Sequence, residues 1–251
     1  MREPLIGIYA LMAEWRALMD PATDSGVSQI KLTWWRDEMR RLAAGSPLHP
    51  ITRHLAQLPG ARVAAFAPLE SSVEAAAAQV AGAPLERAGE LESHADALYG
   101  TPLLAAARIG SARSDHLDRS TTHSCTAALA AAEYLARAVA DYGREARAGR
   151  VPFPVDELLA AGIDNDDLAA AEPPARLQIY LKQLRDKAAG YFSTAASALP
   201  PTEQPELRHL LVLATLGVRY LNGRRSLSSA DFRLADLYNA WTVARRAAVI
   251  R

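Results

Sequence analysis

The chain has 251 residues, half of them hydrophobic and 22% charged, and its 28 basic and 28 acidic side chains leave no formal net charge. That length holds one large domain or two small ones, with enough apolar content for a sizeable core. Zero net charge argues against bulk affinity for nucleic acid or an acidic membrane and leaves only local basic clusters, and the single Cys125 excludes a disulfide framework and a cysteine-based zinc site.

Alanine, leucine, arginine and glutamate dominate, and alternating β-branched residues are nearly absent, so long 3.6-period stretches predict helices throughout. The first helix carries the stripe Leu5, Ile8, Tyr9, Met12, Trp15, Met19, with Pro4 in its first turn and Asp20-Pro21 as its stop. Asp24-Ser25-Gly26 offers cap oxygens to a second helix that ends at Gly45, and His49-Pro50 opens a short one to Leu58. Within this region, Trp34-Trp35 directs one ring into the core and the other towards its edge. Helix is predicted from Leu69 to Val80, and again through Leu91, Leu98 and Leu103 with a kink at Gly100-Thr101-Pro102. A further helix is expected from Ser114 to Asp141, followed by a loop over 141–154. Short helices over 156–162 and 165–171 precede long ones over 176–199 and 203–221, and Ser228 or Ser229 caps a last one ending near Ile250. No linker, repeat or apolar run of about 20 residues interrupts this pattern. One all-α domain, 1–251, is the economical reading. Without a signal-like N-terminus the expected location is cytoplasmic. The basic C-terminal residues Arg224-Arg225 and Arg245-Arg246-Arg251 are either a solvated face or a contact for an acidic membrane surface.

Chemistry concentrates at the end of the mid-chain helix. Asp141 and Glu145 are spaced i, i+4, so two carboxylates share one helix face and suit a divalent ion such as Mg²⁺, unless Arg137, Arg144 or Arg147 pairs with them. Beyond them, Gly149 permits a sharp turn and Pro152 and Pro154 stiffen its exit. The histidines show no metal-binding spacing, and the serines between 111 and 124 lack a nucleophile elbow.

The run Asp141-x-Gly143-x-Glu145-x₃-Gly149-Arg150-x₃-Pro154, continued by Asp156-Glu157-Leu158 and Gly162-Ile163, resembles the second acidic motif of the squalene/phytoene synthase family. Tyr9-Ala10-Leu11, Leu32 with Trp35-Arg36, and His49-Pro50 with Leu55 resemble motifs of that family's first helices, and Leu91 to Leu103 resembles its kinked pocket helix. The resemblance implies an isoprenoid-synthase-like helical bundle around an apolar pocket. It also implies head-to-head joining of two prenyl diphosphates by Mg²⁺ ions held between two acid-rich motifs.

The departures fall on those motifs. Arg16 stands where the first aspartate of the first motif is expected and only Asp20 keeps its acid. Arg144 and Glu145 replace Glu and Asp in the second motif, Tyr134 and Arg137 replace Gln and Asn, and Ala140 replaces Arg. The chain also opens directly on the first helix, without the family's leading segment. A guanidinium about 4 Å from Mg²⁺ repels it by several kcal/mol even at an effective dielectric near 20. The leading expectation is therefore a non-catalytic isoprenoid- or lipid-binding protein, similar to the family branch that includes a mitochondrial respiratory complex I assembly factor, with a protein partner as a further expectation. The alternative is an active prenyl diphosphate transferase with altered metal use. Arg16, Arg137, Arg144 and Arg150 are the candidate diphosphate ligands, since arginine holds phosphate oxygens bidentately. Tyr134, Leu98 and Leu103 are the candidate pocket residues, against plain helix packing for the leucines. Asp20, Asp141 and Glu145 are the candidate metal ligands.

Overall fold

The computed structural model describes residues 2–58, 63–110, 119–222 and 234–249, and among these the chain is helical without a strand. The expected Ser228 or Ser229 cap, Arg224-Arg225, Arg251 and most of the serine stretch lie outside the described residues.

Helices α1 (Arg2–Met19), α2 (Ser25–Ala43), α3 (Pro50–Gln57) and α4 (Leu69–Val80) pack on one another at the start of the chain. The Asp24 carboxylate caps α2 by accepting from the Val27 N–H at 2.8 Å, and Gly45, at φ +80°, turns the chain after it. A short 3₁₀ turn, Val63–Phe66, which the periodicity does not reveal, drops Phe66 into the core before α4. Between α2 and α3 sits a buried carboxylate. Glu38 accepts from the Leu48 and His49 N–H groups, both at 2.8 Å, from Arg41 Nε at 2.8 Å, and from the Thr52 hydroxyl. Trp15 meets Trp35 edge-on, and the His49 ring lies tilted against Trp35.

The chain continues through α5 (Ala88–Ala95), α6 (Thr101–Gly110), α7 (Arg119–Arg147), α8 (Val155–Ala160), α9 (Asn165–Ala169), α10 (Ala175–Ala198), α11 (Gln204–Asn222) and α12 (Leu234–Val249). The expected kink before Pro102 takes the form of a π turn, Asp96–Gly100, in which the Thr101 N–H reaches back to the Asp96 carbonyl. Helix α7 is central and packs most closely on α10 and on the π turn, because its alanines bring other backbones near. Its course corrects the sequence reading: the helix does not stop at Asp141 but runs to Arg147, and the loop begins at Ala148. Gly143, read as a turn residue, lies within the helix where the Leu168 carbonyl passes close by. The turn itself is at Gly149, φ +74°.

Candidate functional site

The C-terminal end of α1 meets the C-terminal half of α7, and the π turn and α4 complete the enclosure. From α7, residues Tyr134, Arg137, Ala138, Asp141, Arg144 and Glu145 recur every three or four positions and so share one face. That face, with Arg16, Met19 and Asp20 of α1, Tyr99 of the π turn and Gln79 of α4, lines a cleft of about 70 Å³.

The charges in the cleft are arranged as pairs. Arg144 reaches across from α7 to Asp20 Oδ1 at 2.7 Å and also faces Asp141 Oδ1 at 3.5 Å, so one guanidinium stands between two carboxylates. Arg137 donates twice to Glu133 Oε1, at 3.0 and 2.7 Å, and its guanidinium lies 6.0 Å from the centre of the Tyr99 ring. Burial works against the Arg137 charge, but Glu133, Tyr99 and Asp141 outweigh it and raise its pKa. Arg16 makes no ion pair or hydrogen bond among the described residues. Loss of solvent and the neighbouring Arg137 cation lower its pKa, opposed by Glu133 and Tyr99. Among the described residues it is the cation of this cleft without a carboxylate in ion-pair contact.

Behind the cleft, Arg150 is buried. Its Nε donates to Glu145 Oε2 at 2.5 Å and its Nη2 to the Met19 carbonyl at 3.2 Å, which ties the loop after α7 to the C-terminus of α1. Burial raises the Glu145 pKa, with Arg150 opposing. The Tyr134 hydroxyl donates to the Pro152 carbonyl at 3.0 Å, and the His94 ring stands 5.5 Å from Tyr134 with its pKa lowered by burial.

Thus Arg16, Arg137, Arg144, Tyr134, Asp20, Asp141 and Glu145 converge on one cleft, while Arg150 turns away from it towards Glu145 and an adjoining smaller hollow. Leu98 and Leu103 do not line the cleft; they are packed into the interior, 2% and 0% exposed, where apolar neighbours on α1, α7 and α11 surround them. The three acids considered for Mg²⁺ each face a guanidinium already, so the donor set as it stands does not suit a divalent ion. Among the described residues no group of three or more acids, histidines or cysteines is placed to hold one. Glu133, Tyr99, Gln79 and His94 were not anticipated. Glu133 carried a usable signal in its i, i+4 spacing to Arg137; Tyr99, Gln79 and His94 arrive through tertiary packing, which local sequence does not encode.

The family model for squalene/phytoene synthase matches residues 1–238. Phytoene synthase 2 of Solanum lycopersicum is 24% identical over 86% of this chain and 69% of its own length. Phytoene synthase 1 of Arabidopsis thaliana is 22% identical over 77% of this chain. Against most of these chloroplastic relatives, that of Arabidopsis included, the match spans about half of the relative's length (46% there). Among solved structures, a dehydrosqualene synthase in complex with ligand superposes with a TM-score of 0.71 over 97% of this chain and 84% of its own, at 15% identity. A squalene synthase from Alicyclobacillus acidocaldarius gives 0.62 over 86% and 81%, at 20% identity.

Proposed function

The chain belongs to the squalene/phytoene synthase family, and from that premise we propose that it is a non-catalytic member which binds the anionic head of a prenyl diphosphate or a similar isoprenoid lipid through arginine instead of metal. The observation that carries this is Arg144, seated between Asp20 and Asp141 where the family's reaction calls for cations between facing acids. Ionising a diphosphate needs clustered positive charge that strengthens as the leaving group departs. A guanidinium held by two carboxylates supplies binding but little further charge. Arg16, in no ion pair among the described residues, and Arg137 at its side give a phosphate its first contacts.

Calorimetry with farnesyl diphosphate tests the proposal. Binding is expected in EDTA, unchanged on adding Mg²⁺, and weakened about tenfold or more by Arg16→Ala, the loss of one charge-assisted contact. Mg²⁺-dependent release of diphosphate from farnesyl or geranylgeranyl diphosphate overturns it in favour of an active prenyl transferase.

A further inference from the structure

The largest aromatic and apolar side chains left in solvent do not scatter evenly. On α12, Leu237, Tyr238 and Trp241 are 55%, 65% and 55% exposed, and their i, i+1, i+4 spacing puts them on one face. The Tyr238 and Trp241 ring centres are 6.1 Å apart, and the Arg245 guanidinium lies 5.2 Å over the Trp241 ring from one turn further on. The opposite face carries Asp236 and Ala247, 7% and 3% exposed, and packs on α11. Asp236, the one carboxylate in the α12 sequence, is turned to Arg219 at 3.6 Å. The helix is therefore held by one face and shows solvent an apolar, aromatic and cationic surface with no acid in it.

We propose that this face of α12 docks the protein onto a membrane surface that carries anionic lipid. Tyrosine and tryptophan have an apolar body and a polar tip, which suits the headgroup level of a bilayer. Arg245 on the same face and Arg246 at its edge supply charge complementary to anionic headgroups. No described helix is long and apolar enough to cross a membrane, so contact through α12 lies in the surface plane. A second copy of the chain is the poorer fit, because a stable dimer buries about 800 Å² per partner and three side chains on one helix supply far less.

Co-sedimentation with vesicles tests this. The full chain pellets with phosphatidylcholine–phosphatidylglycerol vesicles about tenfold more strongly than with phosphatidylcholine alone. Trp241→Glu abolishes pelleting with both, Trp241→Phe largely retains it, and Arg245→Ala with Arg246→Ala lowers the mixed-vesicle value to that of phosphatidylcholine. Unchanged circular dichroism and melting separate these effects from misfolding. A wild-type chain that stays in the supernatant with both vesicles overturns the proposal, as does a Trp241→Glu chain that pellets like wild type. Concentration-dependent dimerisation that Trp241→Glu dissolves, without vesicle binding, also overturns it and assigns the face to a second copy.

Discussion

Arg144 and Arg150 stand six positions apart and both face carboxylates, yet they differ in what their removal leaves behind. The Arg144 pair with Asp20 is 42% exposed on each side, so its loss uncovers groups that water can solvate. Arg144→Ala is expected to change stability by no more than about 0.5 kcal/mol and to weaken binding of a diphosphate. The same variant frees Asp20 and Asp141, and a melting shift with Mg²⁺ that wild type does not show is expected of it. Arg150→Ala leaves Glu145 buried and unpaired and the Met19 carbonyl without its donor, which costs about 3–5 kcal/mol. Chemical denaturation of the two variants side by side checks the contrast. This difference was not legible from residue type, because both arginines sit in motif positions; burial alone divides them.

At the scale of elements, Glu38 is the tie between α2 and the start of α3. Burial raises its pKa, but the hydrogen bonds from Thr52, His49, Arg41 and Leu48 outweigh that and hold it below the ordinary value. A depressed carboxyl contributes stability that is present above its unfolded pKa of about 4.3 and is lost as pH falls through the lower folded value. Acid melts of wild type and Glu38→Gln are therefore expected to converge at low pH and to differ by about 2–3 kcal/mol near neutrality. At the α10–α11 crossing, a methyl group on Gly217 would overlap the Phe192 ring, so Gly217→Ala is expected to cost about 1–3 kcal/mol in thermal melts. Helices with clean punctuation were legible in the sequence, α2 from its Asp24 cap and α4 over Leu69–Val80. The end of α7 was not. Its run of charges and Gly143 imitate a turn, whereas the buried Glu145–Arg150 pair and the close passage of α9 keep it helical.

For the whole molecule, the all-α architecture follows from periodicity and the facing of α1 and α7 from the family resemblance, while the walls supplied by Tyr99 and Gln79 depend on tertiary packing. A ligand that binds the folded chain alone, at about one hundred times its dissociation constant, adds about 2.7 kcal/mol. For a chain of this size that raises Tm by roughly 5–10 °C, and farnesyl diphosphate is expected to do so equally with and without EDTA. The cleft has one more consequence. Arg137, Arg144 and Arg150 are matched by Glu133, Asp20, Asp141 and Glu145, so the site already carries counter-ions for every one of these arginines except Arg16. On the proposed reading, an anion that has met Arg16 gains Arg144 only by exchange, taking it from its carboxylates for the difference between the two partnerships. A site built that way is expected to release its ligand readily and to favour anions that bring more than one charge.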